Sequence, residues 1–246
     1  MTVTKIATFP SKTEGPITVR HGHNERVRAA VYAGAFHPGI MATLGQKDQN
    51  RFSPEKFSGW HPKGGGRDVF TAWTDEVAPG LEEDLPMEGV DDVAGLVWIG
   101  GEAFPKGDYP DAPYRPQRTM AFRTAYNNPK VPGSSFEGQG IGRRLAIAGL
   151  KQIVELTMDG GVDGLPPLLD DGIWIETDTT NRAALDLYYN LGNRRGEPSV
   201  GFIDMGVHQP EPSAKDPNPL PRQGMVLMPD ALQTIVANAG QFVDFV

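Results

Sequence analysis

The period of apolar and polar positions changes repeatedly along the chain. Alternation, or short unbroken apolar runs bounded by glycine and proline, predicts strands over residues 16–20, 67–73, 93–104, 117–126, 173–177, 199–205 and 224–228. A three-to-four spacing predicts helices elsewhere. One covers residues 25–35, beginning near His23 or Asn24, and a short one covers 230–239 with Asp230 as its cap or first-turn acid. The longest carries a stripe of Leu145, Ile147, Ala148, Leu150, Ile153, Val154 and Leu156. Another runs over 181–192 and stops at Gly192. Strands and helices interleaved in this way predict an α/β fold with a mixed sheet.

Residues 36–66, which include Gly64, Gly65 and Gly66, are irregular, with room for short helices around Met41 and Lys56. The connections over 75–92, 105–116 and 208–221 carry prolines, and the first of these is also acidic. No repeat and no extended low-complexity tract interrupts the pattern.

The chemistry concentrates where glycines precede the longest helix, in Glu137-Gly138-Gln139-Gly140-Ile141-Gly142-Arg143-Arg144. Glycine permits positive φ and close approach to the backbone, so amides there can turn toward one anion. The helix start adds unpaired N–H groups and the positive end of the dipole, and Arg143 and Arg144 add charge. A plain surface turn is the other reading of three close glycines. The spacing is not G-x-G-x-x-G, because Arg143 stands where the third glycine belongs, and no Gly-Lys-Ser/Thr follows as a Walker loop requires.

What remains, x-x-Gly-x-Gly running into a helix, resembles the pyrophosphate loop of the GNAT superfamily of acyl-CoA-dependent N-acetyltransferases, Gln/Arg-x-x-Gly-x-Gly/Ala. Gly140 and Gly142 fill its small positions, whereas Glu137 departs from the Gln/Arg position. A second segment resembles the superfamily's Asn-x-x-Ala-x-x-Leu-Tyr-x-x-Leu-Gly-Phe motif. Asn181, Ala184, Leu187, Tyr188, Leu191 and Gly192 match it, and Asn193 replaces the phenylalanine.

The resemblance implies one domain over residues 1–246, with an extension at 1–15, a proline-rich excursion at 206–223 and a tail at 229–246. Its sheet is mostly antiparallel, flanked by helices and splayed between its fourth and fifth strands, here 117–126 and 173–177. Acetyl-CoA is the implied co-substrate, its pantetheine arm inserted between those strands. The implied contacts are the backbone of Met120, Ala121 and Phe122, the loop Gly138, Gln139, Gly140, Ile141, Gly142, Arg143 and Arg144, and then Asn181, Ala184 and Tyr188. Tyr188 aligns with the acid that serves the leaving thiolate, while a packing tyrosine is its other reading. The base is open among Glu102, Glu176 and Asp178, because residues 117–126 hold no carboxylate and no histidine. Residues 36–60 are the implied acceptor wall, and Phe52, Phe57, Trp60 and Trp73 are candidates for its pocket or for the core. Residues 127–136 form a longer connection than the superfamily's usual few.

Composition narrows the rest. The 246 residues, 39% hydrophobic, suffice for a substantial core. A net charge of −8 argues against a nucleic-acid binder, and acidity is also what solubility alone selects. With no cysteine there is no disulfide, thiolate metal site or cysteine nucleophile. His21 and His23 lack further ligands in sequence, so a polar turn outweighs a metal site and no metal is expected. No apolar run reaches membrane-spanning length and residues 1–11 lack a signal-peptide centre, so a cytoplasmic protein with no membrane partner is expected. A small-molecule amine is the leading acceptor, and a homodimer is left open. Two other functions stand beside amine acetylation: a catalytically silent acyl-CoA sensor or scaffold, and an acetyltransferase acting on a protein or other macromolecule.

Overall fold

The computed structural model describes residues 3–12, 15–22, 68–74, 93–124, 139–158, 160, 164–193, 199–214 and 217–246. Within them, the apolar alternation resolves into strands β1 (Thr4–Pro10), β2 (Pro16–His21), β3 (Asp68–Thr74), β4 (Val93–Gly101) and β5 (Arg118–Thr124). After helices α1 (Ile141–Thr157) and α2 (Leu168–Asp171) come β6 (Ile173–Asp178) and helix α3 (Arg182–Tyr189). Strands β7 (Ile203–His208) and β8 (Arg222–Leu227), helix α4 (Pro229–Ala237) and the short β9 (Asp244–Phe245) complete the chain.

All the strands join one sheet in the order β7-β8-β6-β5-β4-β3-β2-β1-β9. Every neighbouring pair is antiparallel except β5 and β6. This is the mixed, mostly antiparallel α/β sheet that the resemblance implies. Its parting lies between the expected pair of strands. They are the fifth and sixth described strands rather than the fourth and fifth, because β1 adds a strand ahead of β2 inside the segment expected to be an extension.

Period-two alternation divides the apolar side chains between two faces. Ile173, Ile175, Met225 and Leu227 join the main core, to which α1 contributes Leu145, Ile147, Leu150 and Ile153. Helix α1 lies across β4 and β3. The intervening positions Trp174 and Val226 face the other way, into a second cluster with Phe104, Tyr109, Ala112 and Met205. The connection from β4 to β5 supplies the cover for that face.

Some expectations are corrected. The strand expected over 199–205 runs instead from Ile203 to His208. Residues 199–202 close the end of α3: Ser199 Oγ donates to the Tyr189 carbonyl at 2.9 Å, and the Phe202 amide to the Tyr188 carbonyl at 3.0 Å. Carbonyls left over by the last helical turn are thereby satisfied, which takes those residues out of the sheet. The expected strand over 93–104 ends at Gly101. Strand β9 and helix α2 carry too few residues to show a period. The helix expected over 25–35, the acceptor wall over 36–60 and the connection over 127–136 lie outside the described residues. Trp73 is fully buried in the main core, its indole N–H donating to Thr71 Oγ1 at 2.7 Å. Among the described residues no helix is long and apolar enough to cross a membrane.

Candidate functional site

Strands β5 and β6 share a single ladder pair, Thr119 with Trp174. Their starts are clamped together. The Asp171 carboxylate, at the end of α2, accepts the Gln117 amide at 2.7 Å, and the Tyr114 hydroxyl donates to the Asp171 carbonyl at 3.1 Å. Beyond that point each strand follows a different partner: β5 stays paired with β4 from Arg118 to Thr124, and β6 with β8 from Ile173 to Asp178. A wedge-shaped cleft therefore opens toward the C-terminal ends of both strands. Every second backbone N–H and C=O of Met120, Ala121 and Phe122 points away from β4 and toward that cleft.

The cleft opens in the direction in which the chain leaves β5 for α1. Gly140 is the N-cap of that helix, with φ 74° and ψ 13°, a left-handed conformation natural to glycine. Among the described residues no side chain caps this helix, and its first turn contains no acidic residue. The amides of Ile141, Gly142 and Arg143 are thus the usual orphan donors of a helix start, and Gly140 in front of them is exposed. Among the described residues, a side-chain carbon at Gly140 would meet only Arg144 Nη1, at 3.7 Å. Among the described residues, the exposed backbone at Gly140, first-turn amides without a side-chain cap and a first turn without a carboxylate fit a diphosphate.

The arginines diverge. Arg144 turns toward β1, donating to the Gln139 carbonyl at 3.2 Å and lying 5.3 Å from the centre of the Phe9 ring. Gln139 itself is buried and accepts the Lys12 amide at 3.4 Å. Arg143 reaches instead to the Asn193 carbonyl at 3.5 Å, just past the second motif. Burial, and secondarily the Arg144 charge, push the Arg143 pKa down. Gly138 lies outside the described residues.

In the second motif Asn181 is the N-cap of α3, its side-chain oxygen accepting the Ala184 amide at 3.2 Å. That hydrogen bond accounts for Asn181 on helical grounds alone, while the backbone amide it uses does not require alanine at 184. Tyr188 is 5% exposed within the main core, its ring 5.9 Å from that of Phe202.

Of the base candidates, Glu102 has an exposed side chain, whereas its backbone carbonyl accepts the Trp174 indole N–H at 2.6 Å. Glu176 is the more enclosed. It shares a face of β6 with Trp174 and Asp178, and Arg222 on β8 brings its Nε to 3.4 Å from Glu176 and 3.8 Å from Asp178. Burial raises the Glu176 pKa above the ordinary glutamate value, with Arg222 opposing.

Sequence reading missed the groups around Glu176. Tyr109 packs against Gly224, the residue opposite Glu176 on β8, and its hydroxyl donates to the Arg222 carbonyl at 3.3 Å. Burial and the Glu176 carboxylate raise the Tyr109 pKa, keeping the phenol neutral. His208 stands 3.7 Å from Asp108 and edge-on to Tyr109. The one signal in sequence was the placement of Trp174, Glu176 and Asp178 at alternate positions.

No protein-family model matches the chain, and no curated protein matches it. Among solved structures it is similar to the aminoglycoside N(6')acetyltransferase from Legionella pneumophila subsp. pneumophila str. Philadelphia 1, with a TM-score of 0.46 and 13% sequence identity. The overlap covers 88% of this chain and 94% of that one.

Proposed function

We propose that this chain transfers an acetyl group from acetyl-CoA to the amino group of a small acceptor, both substrates being held at once. The observation that carries the reading is the parting of β5 from β6 beyond Thr119 and Trp174, beside a helix that starts on a left-handed glycine and has no side-chain cap among the described residues. Paired strands would leave no slot, and a helix start capped by a carboxylate would repel phosphate. Among the described residues neither obstacle is present, and the two sequence motifs flank the site.

Acetyl-CoA supplies an activated acyl carbon and a thiolate leaving group. The amides of Ile141, Gly142 and Arg143, with the Arg143 guanidinium, hold the diphosphate. Backbone groups of Met120, Ala121 and Phe122 bind the arm in place of a neighbouring strand, and an amide among them donates to the carbonyl oxygen where negative charge develops. Glu176 accepts the proton released by the amine, a role for which a carboxylate raised toward neutral pH is better suited than an ordinary one. Tyr188 delivers a proton to the departing sulfur. Fixing both reactants in one cleft replaces a bimolecular encounter with an oriented one, which lowers the barrier by several kcal/mol, at most about 10. The acceptor is a small cationic amine, drawn by Glu176 and Asp178.

The test is release of free thiol from acetyl-CoA across a panel of amino acids, polyamines, aminoglycosides and peptides, alongside calorimetric binding of acetyl-CoA. Release with at least one small amine is expected. Binding without release on any amine would make this a silent acyl-CoA-binding domain, and absence of binding would end the reading.

A further inference from the structure

We infer that Trp174 limits the transferred acyl group to a short one, acetyl in preference to butyryl or anything longer. The inference rests on the proposed coenzyme A reading and specifies the acyl donor for the same cleft. An arm running between β5 and β6 from their C-terminal ends reaches its limit where the strands pair again, and the one ladder pair between them is Thr119 with Trp174. Both residues are buried, at 4% and 6% exposure.

The indole is fixed in place on more than one side. Its Nε1–H donates to the Glu102 carbonyl at 2.6 Å, and its ring meets that of Phe104 edge to face at 5.5 Å and 87°. Phe104 in turn packs on Tyr109 with ring centres 5.1 Å apart, and Met205 and Val226 complete the cluster. Turning the indole aside would break a buried hydrogen bond and disrupt close packing, so it does not yield as a flexible side chain would. Each further methylene on the acyl group would have to enter this cluster, and overpacking of that kind is unfavourable.

Calorimetric titration with CoA, acetyl-CoA, butyryl-CoA and hexanoyl-CoA tests this on the full chain. For the wild type, affinity should hold from CoA to acetyl-CoA and fall by about tenfold or more at hexanoyl-CoA, the scale on which a closed apolar pocket rejects extra methylenes. Trp174→Leu should recover most of that loss while leaving the dissociation constant of CoA itself unchanged. If thermal melting shows that Trp174→Leu does not fold, Phe104→Leu, which removes the support behind the indole, should shift the ranking in the same direction. A wild type that binds hexanoyl-CoA as well as acetyl-CoA would overturn the inference, as would a folded variant that keeps the wild-type ranking. Failure of every CoA species to bind the wild type would instead strike the underlying reading and take the inference with it.

Discussion

The guanidinium of Arg143 reaches the carbonyl of Asn193 at 3.5 Å, joining the start of α1 to the chain just beyond α3. The two sequence motifs, far apart in the chain, thus meet at one end of the cleft. If Arg143 also holds the diphosphate, Arg143→Gln should weaken acetyl-CoA binding by about tenfold, the usual scale for losing a charge-assisted hydrogen bond. S-acetylpantetheine, which lacks the diphosphate, should bind both proteins equally. An equal loss for both ligands would show that the arginine acts on the fold instead.

Gly140 sits at φ 74° in front of the first-turn amides of α1. In Gly140→Val the left-handed backbone should cost about 1–2 kcal/mol of stability, because a branched side chain crowds the following carbonyl. The open space before the loop would also be filled, so affinity for acetyl-CoA should drop by more than that strain alone explains. Urea unfolding and calorimetry together check this. Unchanged affinity would remove the loop from the binding site.

Tyr109 lies against Gly224 so closely that a side-chain carbon there would stand 2.7 Å from its Cζ. Gly224→Ala should therefore displace the ring and destabilise the protein by about 1–3 kcal/mol, the cost of overpacking a closed site. The double variant with Tyr109→Phe should recover little, since the clash is with the ring rather than the hydroxyl. Denaturant melts of the two variants measure it.

Glu176 has a folded-state pKa raised above its ordinary value of 4.5 by burial. The folded state then holds this proton to higher pH than the unfolded state does. Its contribution is most favourable below pH 4.5 and is lost as pH rises through the folded value. Glu176→Gln, which cannot ionise, should accordingly gain stability relative to the wild type as pH is raised from about 4 to 7. If Glu176 is the base, the wild-type kcat/KM should rise over the same interval and this limb should vanish in the variant. Parallel stability curves for the two proteins would contradict the burial argument.

The reading order of the chain shows where sequence suffices. Strands β3, β4, β5, β6 and β8 and helix α1 are long or strongly periodic, and one-dimensional spacing located each. Strand β9 has only two residues, and in β1 the register shifts between Lys5 and Ala7 so that Ile6 and Ala7 are both buried, which breaks the alternation. The Ser199–Phe202 stretch has strand composition, yet the carbonyls at the end of α3 claim its polar groups, a competition visible only once both are placed. Asn181 shows the converse: a residue read as a cofactor contact has a capping bond to Ala184 that the same spacing explains.

By itself the sequence determined the alternation of strands and helices, the glycine start of α1 and the resemblance carried by the two motifs, because each depends on residues near one another in the chain. Only the tertiary structure decided that β5 and β6 meet at Thr119 and Trp174 and then part, and that Arg222, Tyr109 and His208 gather around Glu176. Those relations join residues remote in sequence. They arise because β5 is committed to β4 and β6 to β8, a division of hydrogen bonds that no local pattern encodes.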